Sequence, residues 1–483
     1  MHGSVASGRP HHCTKEDALL RHRRTVIILA ALALVAVIAT VVILNRPPPP
    51  PPAPTFRYES DAAIRTVLAQ PAPAYPALRF AVLSDPHLYD PALGTSGAAF
   101  EEYLSNDRKL LAESPALLET ALAALSKEDI QFLLIPGDLS KDGERSSHEL
   151  MARYLAQFEA AGKQVYVIPG NHDVRNGKSE RYGAEGAVRV PNISTDDFAR
   201  LYSPFGYAQA IRRDAASLSY VTEPVEGLWL LALDSCLYRD NVENHEPITN
   251  GRFSAATLQW LEEVLFEAAR AGKPVLAAEH HNVLEHYQGQ DKEFGDYLVD
   301  DHAAIARLLA AYHVRVIFTG HYHAQDVTEA REPDDTFLFD VETGSLVTYP
   351  CPYRVVSINA AQEMTIRSQD ITAIPQRTTG FPAYAREAAF RGVAEIASRT
   401  IQGYHVGKAE ADGLAAQVAD AFMVHYAGDE ALPPGVEPIR TRGLSPMAWL
   451  VVNNRKGLVQ SLWRDLSPPD NNVTLDLRTG AWR

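Results

Sequence analysis

Aspartate, asparagine and histidine residues are concentrated in a few short clusters of this chain. In chain order the clusters are Ser84-Asp85-Pro86-His87, Gly137-Asp138, Gly170-Asn171-His172-Asp173, His280-His281 and Gly320-His321-Tyr322-His323. A set of carboxylates, imidazoles and one amide, with no thiolate, suits divalent Mn, Fe, Zn, Co or Ni. These residue types predict a metal site assembled from distant parts of the sequence.

Each cluster follows a short apolar run, and such runs are typical of buried strands. The runs are Arg79–Leu83, Ile130–Ile135, Gln164–Ile168, Pro274–Ala278 and Val314–Phe318. Side chains just beyond the carboxyl ends of neighbouring strands meet in one crevice of an α/β sheet, so we expect the clusters to converge.

Amphipathic helical patterns alternate with these strands and indicate a layered α/β architecture. The clearest helices are Pro115–Leu125, Ser147–Ala161 and Ala255–Ala271. Further strands are predicted at Leu228–Leu233, Thr336–Phe339, Tyr353–Ile358 and Glu363–Arg367. Helical patterns return at Tyr384–Gln402, Glu410–Tyr426 and Trp449–Leu462. Residues 77–370 are therefore interpreted as the catalytic domain, and residues 380–483 as a mostly helical extension outside its core.

The clusters resemble, in order, the D-x-H, G-D, G-N-H-[DE], H and G-H-x-H motifs of the calcineurin-like metallophosphoesterase superfamily. The resemblance runs from about Arg79 to about Val355. A further piece, Gly251-Arg252-Phe253 followed by Leu258-Gln259-Trp260-Leu261, is similar to the bacterial branch. The resemblance implies a layered sandwich of two mixed β-sheets flanked by helices, and hydrolysis of a phosphoester.

The resemblance also implies two divalent metal ions that share Asp138. The other expected ligands are Asp85, His87 and His323 for the first ion, and Asn171, His280 and His321 for the second. Water between the ions is expected to lose a proton and attack phosphorus. His172 would protonate the leaving group or hold the phosphate, with Asp173 orienting its ring. The alternative is that His172 only packs the turn.

Several further residues lie near the motifs. Adjacent residues at a strand end face opposite ways, so only one of His280 and His281 should be a ligand, and the family pattern favours His280. Purple acid phosphatases have a tyrosine ligand for ferric iron where this chain has Lys141, which favours a redox-stable divalent pair. Four more polar residues are expected to be structural, or solvated in the case of His148: Asp234, Tyr322, His286 and His148.

The overall charge opposes non-specific binding to nucleic acid. The chain has 60 Asp and Glu against 45 Lys and Arg, a formal net charge of −15, whereas nucleic acid requires basic surface. Three cysteines exclude a scaffold built from disulfides. Cys236 and Cys351 could pair in an oxidising compartment, but two unpaired buried thiols are favoured.

The amino-terminal sequence predicts a single membrane anchor. Residues 1–25 form a polar tail with several basic residues, and Val26–Leu44 then lacks any charge over 19 residues. A helix of that length approaches the roughly 30 Å hydrocarbon core. A cleaved signal peptide is the alternative. Basic residues before the helix place the tail in the cytoplasm and the catalytic domain outside, with residues 45–76 as a proline-rich linker.

The sequence thus favours a membrane-anchored, dinuclear phosphoesterase. Its substrate is expected to be a phosphomonoester or phosphodiester of a small molecule or a lipid head group, and not a nucleic acid. A non-catalytic scaffold with the same fold is one alternative, but such proteins lose metal ligands, and here every expected ligand type is present. A nuclease of the same superfamily is another, which the acidic composition opposes.

Overall fold

The computed structural model describes residues 52–483. The predicted tail 1–25, the predicted anchor 26–44 and the first part of the predicted linker 45–76 lie outside the described residues. Over the described part of the chain, none of the helices combines the length and the hydropathy needed to span a bilayer.

The strands of the described residues follow the predicted apolar runs closely. They are β1 (Leu78–Val82), β2 (Phe132–Pro136), β3 (Gln164–Ile168), β4 (Glu180–Gly183), β5 (Gly186–Arg189), β6 (Arg212–Arg213), β7 (Tyr220–Val225), β8 (Leu228–Ala232), β9 (Val275–Ala278), β10 (Val316–Thr319), β11 (Asp326–Arg331), β12 (Phe337–Glu342), β13 (Pro352–Ile358), β14 (Glu363–Asp370) and β15 (Asn472–Asp476). The sequence patterns did not predict β4, β5, β6, β7, β11 or β15.

Most of these strands form two large mixed sheets. The first has the order β15-β14-β13-β1-β2-β3, in which β1, β2 and β3 are parallel and the other three are added antiparallel. The second has the order β11-β12-β10-β9-β8-β7-β6, with a parallel centre of β12, β10, β9 and β8. The predicted sandwich of two mixed sheets is confirmed.

The main core lies between the two sheets. Phe80 of β1 stacks on Phe132 of β2 with ring centroids 4.8 Å apart, and meets Phe318 of β10 edge-on at 5.4 Å. On β9, Leu276 belongs to this core, whereas Ala277 belongs to a second core beneath the helices. Because these central strands are covered on both faces, their sequences are apolar throughout rather than alternating.

The α-helices of the described residues flank the sheets and form most of the carboxyl-terminal part. They are α1 (Ala62–Leu68), α2 (Ala98–Leu104), α3 (Ser114–Leu125), α4 (Arg145–Glu159), α5 (Thr195–Leu201), α6 (Ala255–Ala271), α7 (Gln290–Phe294), α8 (His302–Ala311), α9 (Phe381–Gly403), α10 (Lys408–Ala427) and α11 (Pro446–Ser461).

The residues at which α6 begins and ends are set by local interactions. The Ser254 hydroxyl accepts the Thr257 backbone N–H at 3.1 Å, and Gly272 ends the helix at φ 64°.

The second half of the predicted linker belongs to the folded domain. Phe56 and Ile64 are buried in the core beneath the second sheet. The backbone N–H groups of Arg57 and Tyr58 donate to the Glu262 carboxylate of α6 at 2.9 and 2.8 Å. The linker prediction of residues 45–76 is thus corrected from about Phe56 onward, since aromatic and apolar side chains there are buried against α6.

The extension 380–483 has the predicted helices, but it is not separate from the catalytic core. After α11 the chain returns to the first sheet, where β15 pairs antiparallel with β14. Val473 and Leu475 of β15 are buried in the main core. A strand of five residues after three helices gives a weak sequence signal, so this part of the extension was not predicted.

Candidate metal centre

The predicted metal-binding clusters lie at the carboxyl ends of strands from both sheets. In the turns that follow these strands, several residues have positive φ, which non-glycine residues rarely adopt. They are Asp85 (49°), His87 (36°), Asp138 (47°), His321 (76°) and His323 (73°). Backbone of this kind is concentrated at functional sites, where the surrounding structure holds it in place.

A first group of buried side chains contains Asp85, His87, Asp138 and His323, whose ligand atoms all lie within 4.8 Å of one another. The Nε2 atoms of His87 and His323 are 3.1 Å apart. His87 Nε2 is 3.5 Å from Asp138 Oδ2, and His323 Nε2 is 3.5 Å from Asp85 Oδ1. Burial lowers the pKa of both histidines, that of His323 to about 4. Both rings are therefore neutral, the form that binds a metal.

A second group contains Asp138, His280 and His321, again within 4.8 Å. His280 Nδ1 donates to the Pro136 carbonyl at 2.9 Å, which leaves Nε2 directed at Asp138 Oδ2, 3.4 Å away. The same Nε2 is 3.2 Å from Asn171 Oδ1, so the asparagine lies at this second group. Asp138 is therefore common to both groups, the position expected for a ligand shared by two ions.

The donor set fits a pair of divalent ions. Carboxylates, imidazoles and an amide oxygen converge from two sheets. His321 Nε2 is buried with no hydrogen-bond partner among the described residues. Buried polar atoms without a partner are costly, so the protein alone does not fully satisfy this site.

His281 packs beside the second group, with its ring 4.4 Å from that of His321, but both of its ring nitrogens are engaged by the protein. Its Nε2 donates to the Thr249 carbonyl at 2.8 Å, and its Nδ1 is 2.7 Å from the Ser235 hydroxyl. With both ring nitrogens occupied, His281 has no lone pair to offer a metal. The geometry therefore favours His280 over His281, as the sequence did.

Two glycines beside the motif aspartate are required by close packing. Gly137 has φ 96°, and a Cβ there would collide with the His280 ring. A Cβ on Gly170 would collide with the Asp138 carboxylate. These glycines let the turns after β2 and β3 approach each other and bring Asp138 against Asn171.

His172 lies at the open side of the site. Its side chain is 21% exposed, whereas those of His87, Asp138 and His280 are at most 2% exposed. Its backbone N–H donates to Asp138 Oδ1 at 2.9 Å, and its ring meets the His87 ring edge-on at 5.1 Å. It is thus close to the metal-binding groups while one ring nitrogen remains free to act on a substrate.

Asp142, not Asp173, orients the His172 ring. His172 Nδ1 is 2.7 Å from Asp142 Oδ1. Asp173 instead accepts the backbone N–H groups of Gly170 and Leu139 at 2.8 and 3.0 Å, and so fixes the turns on which the metal-binding groups are built. The sequence-based assignment of ring orientation to Asp173 is corrected, since its carboxylate is fully used by these backbone donors.

The charge of a buried lysine stabilises the ionised form of Asp142. Burial raises its pKa, but Lys141 and His172 outweigh burial and lower it. The Lys141 ammonium contacts Asp142, lies 3.6 Å from Glu144 and sits 4.1 Å from the centre of the Tyr103 ring. The sequence position that holds a metal-binding tyrosine in purple acid phosphatases is here part of the support for the Asp142–His172 pair.

A sequence model of the family described as calcineurin-like phosphoesterase matches residues 78–325, just over half of the chain. The chain belongs to this family. As a calcineurin-like phosphoesterase it is a hydrolase of phosphoester bonds, and membership implies two divalent metal ions. The residues described above are those that could hold them.

Solved structures add two likenesses. A dimetal phosphatase from Danio rerio is 18% identical with a TM-score of 0.44, over 61% of this chain and 97% of that chain. A purple acid phosphatase from yellow lupin (Lupinus luteus) seeds is 11% identical with a TM-score of 0.38, over 62% of this chain and 52% of that chain. This chain therefore spans about half of the lupin protein. No curated protein matches the chain.

Two cations beside the centre of this calcineurin-like phosphoesterase were not found from the sequence. Besides burial, the charges of Arg108 and Lys109 lower the pKa of His323. Lys109 is paired with Asp107 Oδ2 at 3.3 Å, whereas Arg108 Nε is buried with no hydrogen-bond partner among the described residues. The loop before α3 carries no motif that marks these residues, so only the fold shows their proximity.

The remaining polar residues that the sequence singled out are structural. His148 is fully buried rather than solvated, since its Nδ1 is 2.8 Å from the Tyr202 hydroxyl and its Nε2 is 2.8 Å from the Asp173 carbonyl. Asp234 accepts the Leu218 backbone N–H at 2.8 Å. His286 is 2.7 Å from Asp326, and Tyr322 packs in an aromatic cluster. Cys236 and Cys351 are separate buried thiols.

Proposed function

We propose that this phosphoesterase is dinuclear and uses Asp138 as the shared ligand of its two ions. The observation that carries the proposal is that Asp138 belongs to both groups of converging side chains. Asp85, His87 and His323 complete one site, and the second is completed by Asn171, His280 and His321. One carboxylate between two cations offsets their mutual repulsion, which neutral ligands alone do not.

The residues around the ions have separate tasks in the proposed reaction. When bound, a pair of divalent ions lowers the pKa of water and stabilises the charge on a phosphoryl group. His172 Nε2 is free to donate a proton to the departing oxygen, because its Nδ1 is held by Asp142. Asp173 and His148 keep the turns of Asp138 and Asn171 in place. No protein side chain has to attack phosphorus.

We further propose that the catalytic domain is anchored to the membrane by Val26–Leu44 and acts outside the cytoplasm. The support is the uncharged 19-residue run, the basic residues before it and the proline tract after it. Its substrates are then phosphoesters of the extracytoplasmic space, including lipid head groups near the bilayer.

Hydrolysis of chromogenic phosphomonoesters and phosphodiesters by the full-length protein tests the proposal. We expect activity with added Mn²⁺ that is lost after chelation and restored by Mn²⁺. Asp138→Asn should abolish it, whereas Asp129→Asn should not, because Asp129 is exposed and precedes β2, at the opposite end of the strand from Asp138. Activity that survives both complete metal removal and Asp138→Asn would reject the dinuclear proposal.

A further inference from the structure

An apolar cavity of about 420 Å³ lies between the segment that carries Phe294 and Tyr297 and the helices α9, α10 and α11. Val418 and Phe422 of α10 and Val452 of α11 are among its lining residues. Ligand-binding pockets commonly have this volume and an apolar lining with a few polar groups. The cavity is formed largely by the extension 380–483, which lies beyond the residues matched by the family model.

One wall of the cavity borders the candidate metal centre. The Tyr297 ring, which lines the cavity, lies 4.6 Å from the ring of the proposed ligand His321. Tyr322, the residue after His321, also lines it. Arg108 contributes to the same wall, with its guanidinium 6.0 Å from the centre of the Tyr426 ring. One end of the cavity is thus beside the metal-binding histidines and a cation, and its body is apolar.

This polarity matches a molecule with a charged head and an apolar chain. A phosphoryl group at the metal centre would be close to the Arg108 charge, while an attached alkyl chain could fill the apolar body. Tyr404 lines the cavity and is 44% exposed. Trp449 and Leu450 of α11, which precede the lining residue Val451 in sequence, are 51% and 47% exposed. Apolar side chains exposed near a binding cavity are typical of sites that receive an apolar ligand.

We propose that the substrate is an amphiphilic phosphoester whose alkyl chain occupies this cavity. The proposal rests on the proposed phosphoesterase activity and names the substrate class of the same site. In the reaction, water forms a new bond to phosphorus, the bond from phosphorus to the leaving oxygen breaks, and that oxygen takes a proton. The alkyl chain takes no part in bond making and contributes binding energy only.

The first test measures kcat/KM for a series of p-nitrophenyl alkyl phosphodiesters from methyl to octyl. The full-length protein is held in lipid nanodiscs of fixed composition, and every ester is kept below its micelle concentration. Burial of a methylene should raise kcat/KM by about two- to fourfold, from roughly 0.8 kcal/mol per CH₂ as an upper value. Equal kcat/KM across the series would overturn the proposal.

Substitutions in the cavity test whether it causes the dependence of kcat/KM on alkyl chain length. Ala397→Trp on α9 fills the cavity and should flatten the series while leaving the methyl ester unchanged. Ala383→Trp, on the exposed face of the same helix, is the matched control and should keep the full dependence. Should Ala397→Trp fail to fold, Val418→Thr places a hydroxyl in the cavity and should weaken only the long esters. A variant that folds and keeps the wild-type dependence would overturn the proposal.

A binding measurement tests the cavity independently of whether the protein hydrolyses phosphoesters. Octylphosphonate and methylphosphonate are titrated calorimetrically into the Asp138→Asn variant, with the Ala397→Trp change added in a second sample. Tighter binding of octylphosphonate that the added tryptophan removes supports the cavity, even if no ester is hydrolysed by the wild-type protein. Absence of hydrolysis would then reject the proposed function alone, whereas equal binding of the two phosphonates would overturn the inference.

Discussion

Asp138 makes more contacts within the candidate site than a single ligand requires. One carboxylate oxygen accepts the His172 backbone N–H, and the other lies between His87 and His280. Burial opposes its ionisation, but the neighbouring imidazoles lower its pKa well below the usual value. A negative charge is thus maintained in a site that water barely reaches.

Replacing that charge should remove metal before it affects the fold. We expect Asp138→Asn to bind fewer than two ions per chain and to lose at least about 10³-fold in kcat, since metal-dependent charge stabilisation supplies several kcal/mol. Elemental analysis after gel filtration gives the stoichiometry, and circular dichroism checks the fold against Asp129→Asn. Two tightly bound ions in an active Asp138→Asn protein would contradict the shared-ligand assignment.

His172 should act on the leaving group and not on metal retention. His172→Asn is expected to keep its metal content and lose about 10²–10⁴-fold in rate for alkyl leaving groups that need a proton, and much less for p-nitrophenolate. Asp142→Asn should show the same pattern more weakly, because an amide oxygen can still accept from Nδ1. Equal losses for both kinds of leaving group would instead indicate phosphate positioning.

The sequence predicted the candidate metal ligands, but not the residues that hold the ligands and His172 in position. Asp85, His87 and the other ligand candidates follow strands directly, so the order of strands and motifs was enough to bring them together. Asp142 was missed because its contact with His172 joins two separate turns, and no spacing rule relates them. His148 lies on the buried face of α4 with Met151 and Leu155, but a histidine in a helix is usually solvated, and the sequence does not show that Tyr202 covers it.

At the scale of secondary-structure elements, the extension is joined to the sheets through buried polar groups. Arg354 of β13 is fully buried and donates to the backbone carbonyls of Glu342 and Asp470 at 2.6 and 2.5 Å. Asp470 Oδ1 accepts the Val327 backbone N–H of β11 at 2.9 Å. The segment before β15 is thereby fixed between the two sheets. Sequence gave no signal for this connection, because each contact joins residues more than ten positions apart.

Loss of the buried guanidinium should destabilise the whole domain. Arg354→Met leaves two buried carbonyls and nearby carboxylates without a donor, for which we expect a cost of about 3–5 kcal/mol in the free energy of unfolding. Urea denaturation measures it. Arg367→Met on β14 is the matched control, since Arg367 is exposed. A cost below about 1 kcal/mol for Arg354→Met would show that the cluster is not a stabilising junction.

Carboxyl groups around this junction should make stability depend on pH. Burial, with nearby carboxylates, raises the pKa of Asp465 to about 7, and burial raises that of Glu430 to about 8. Asp326, Asp429 and Asp470 are the other carboxyls here, and His286, His425 and Arg354 are the bases that face them. The folded state therefore holds protons that the unfolded state releases near pH 4.

Because the folded state binds more protons than the unfolded state, the stability of the fold decreases as pH rises. The stabilisation is complete below about pH 4 and is lost as pH rises through 7 and 8. We expect the melting temperature to fall between pH 5 and pH 8.5, and Asp465→Asn to make that slope shallower, as followed by calorimetry in buffers of equal ionic strength. An unchanged slope in Asp465→Asn would show that this carboxyl does not titrate with unfolding.

At the scale of the whole molecule, the predicted anchor and the folded domain are separated by a short spacer. The first buried residue of the described chain is Phe56, so in the proposed topology the spacer after the predicted anchor Val26–Leu44 is residues 45–55, which are rich in proline. An extended proline helix of about 3.1 Å per residue would reach roughly 30 Å. Such a spacer would keep the domain near the bilayer.

Protease treatment of intact cells and of spheroplasts measures the topology. We expect digestion of residues 77–370 from outside, with the first 25 residues protected. Protection of the whole domain would reverse the predicted orientation and make cytoplasmic nucleotides candidate substrates. A soluble product beginning near Pro47 would identify Val26–Leu44 as a cleaved signal peptide.

The position of β15 in the first sheet also affects how the chain is made. β14 ends at Asp370, and its partner strand begins at Asn472, about a hundred residues later. At roughly 5–20 residues per second, a ribosome needs on the order of 5–20 s to add that length. A β14 that has already paired with β13 while β15 is still absent would present an unpaired edge, the kind of surface on which strands of other chains add. Slow synthesis of α9, α10 and α11 would lengthen this exposure, and a chaperone that covers strand edges would shorten it.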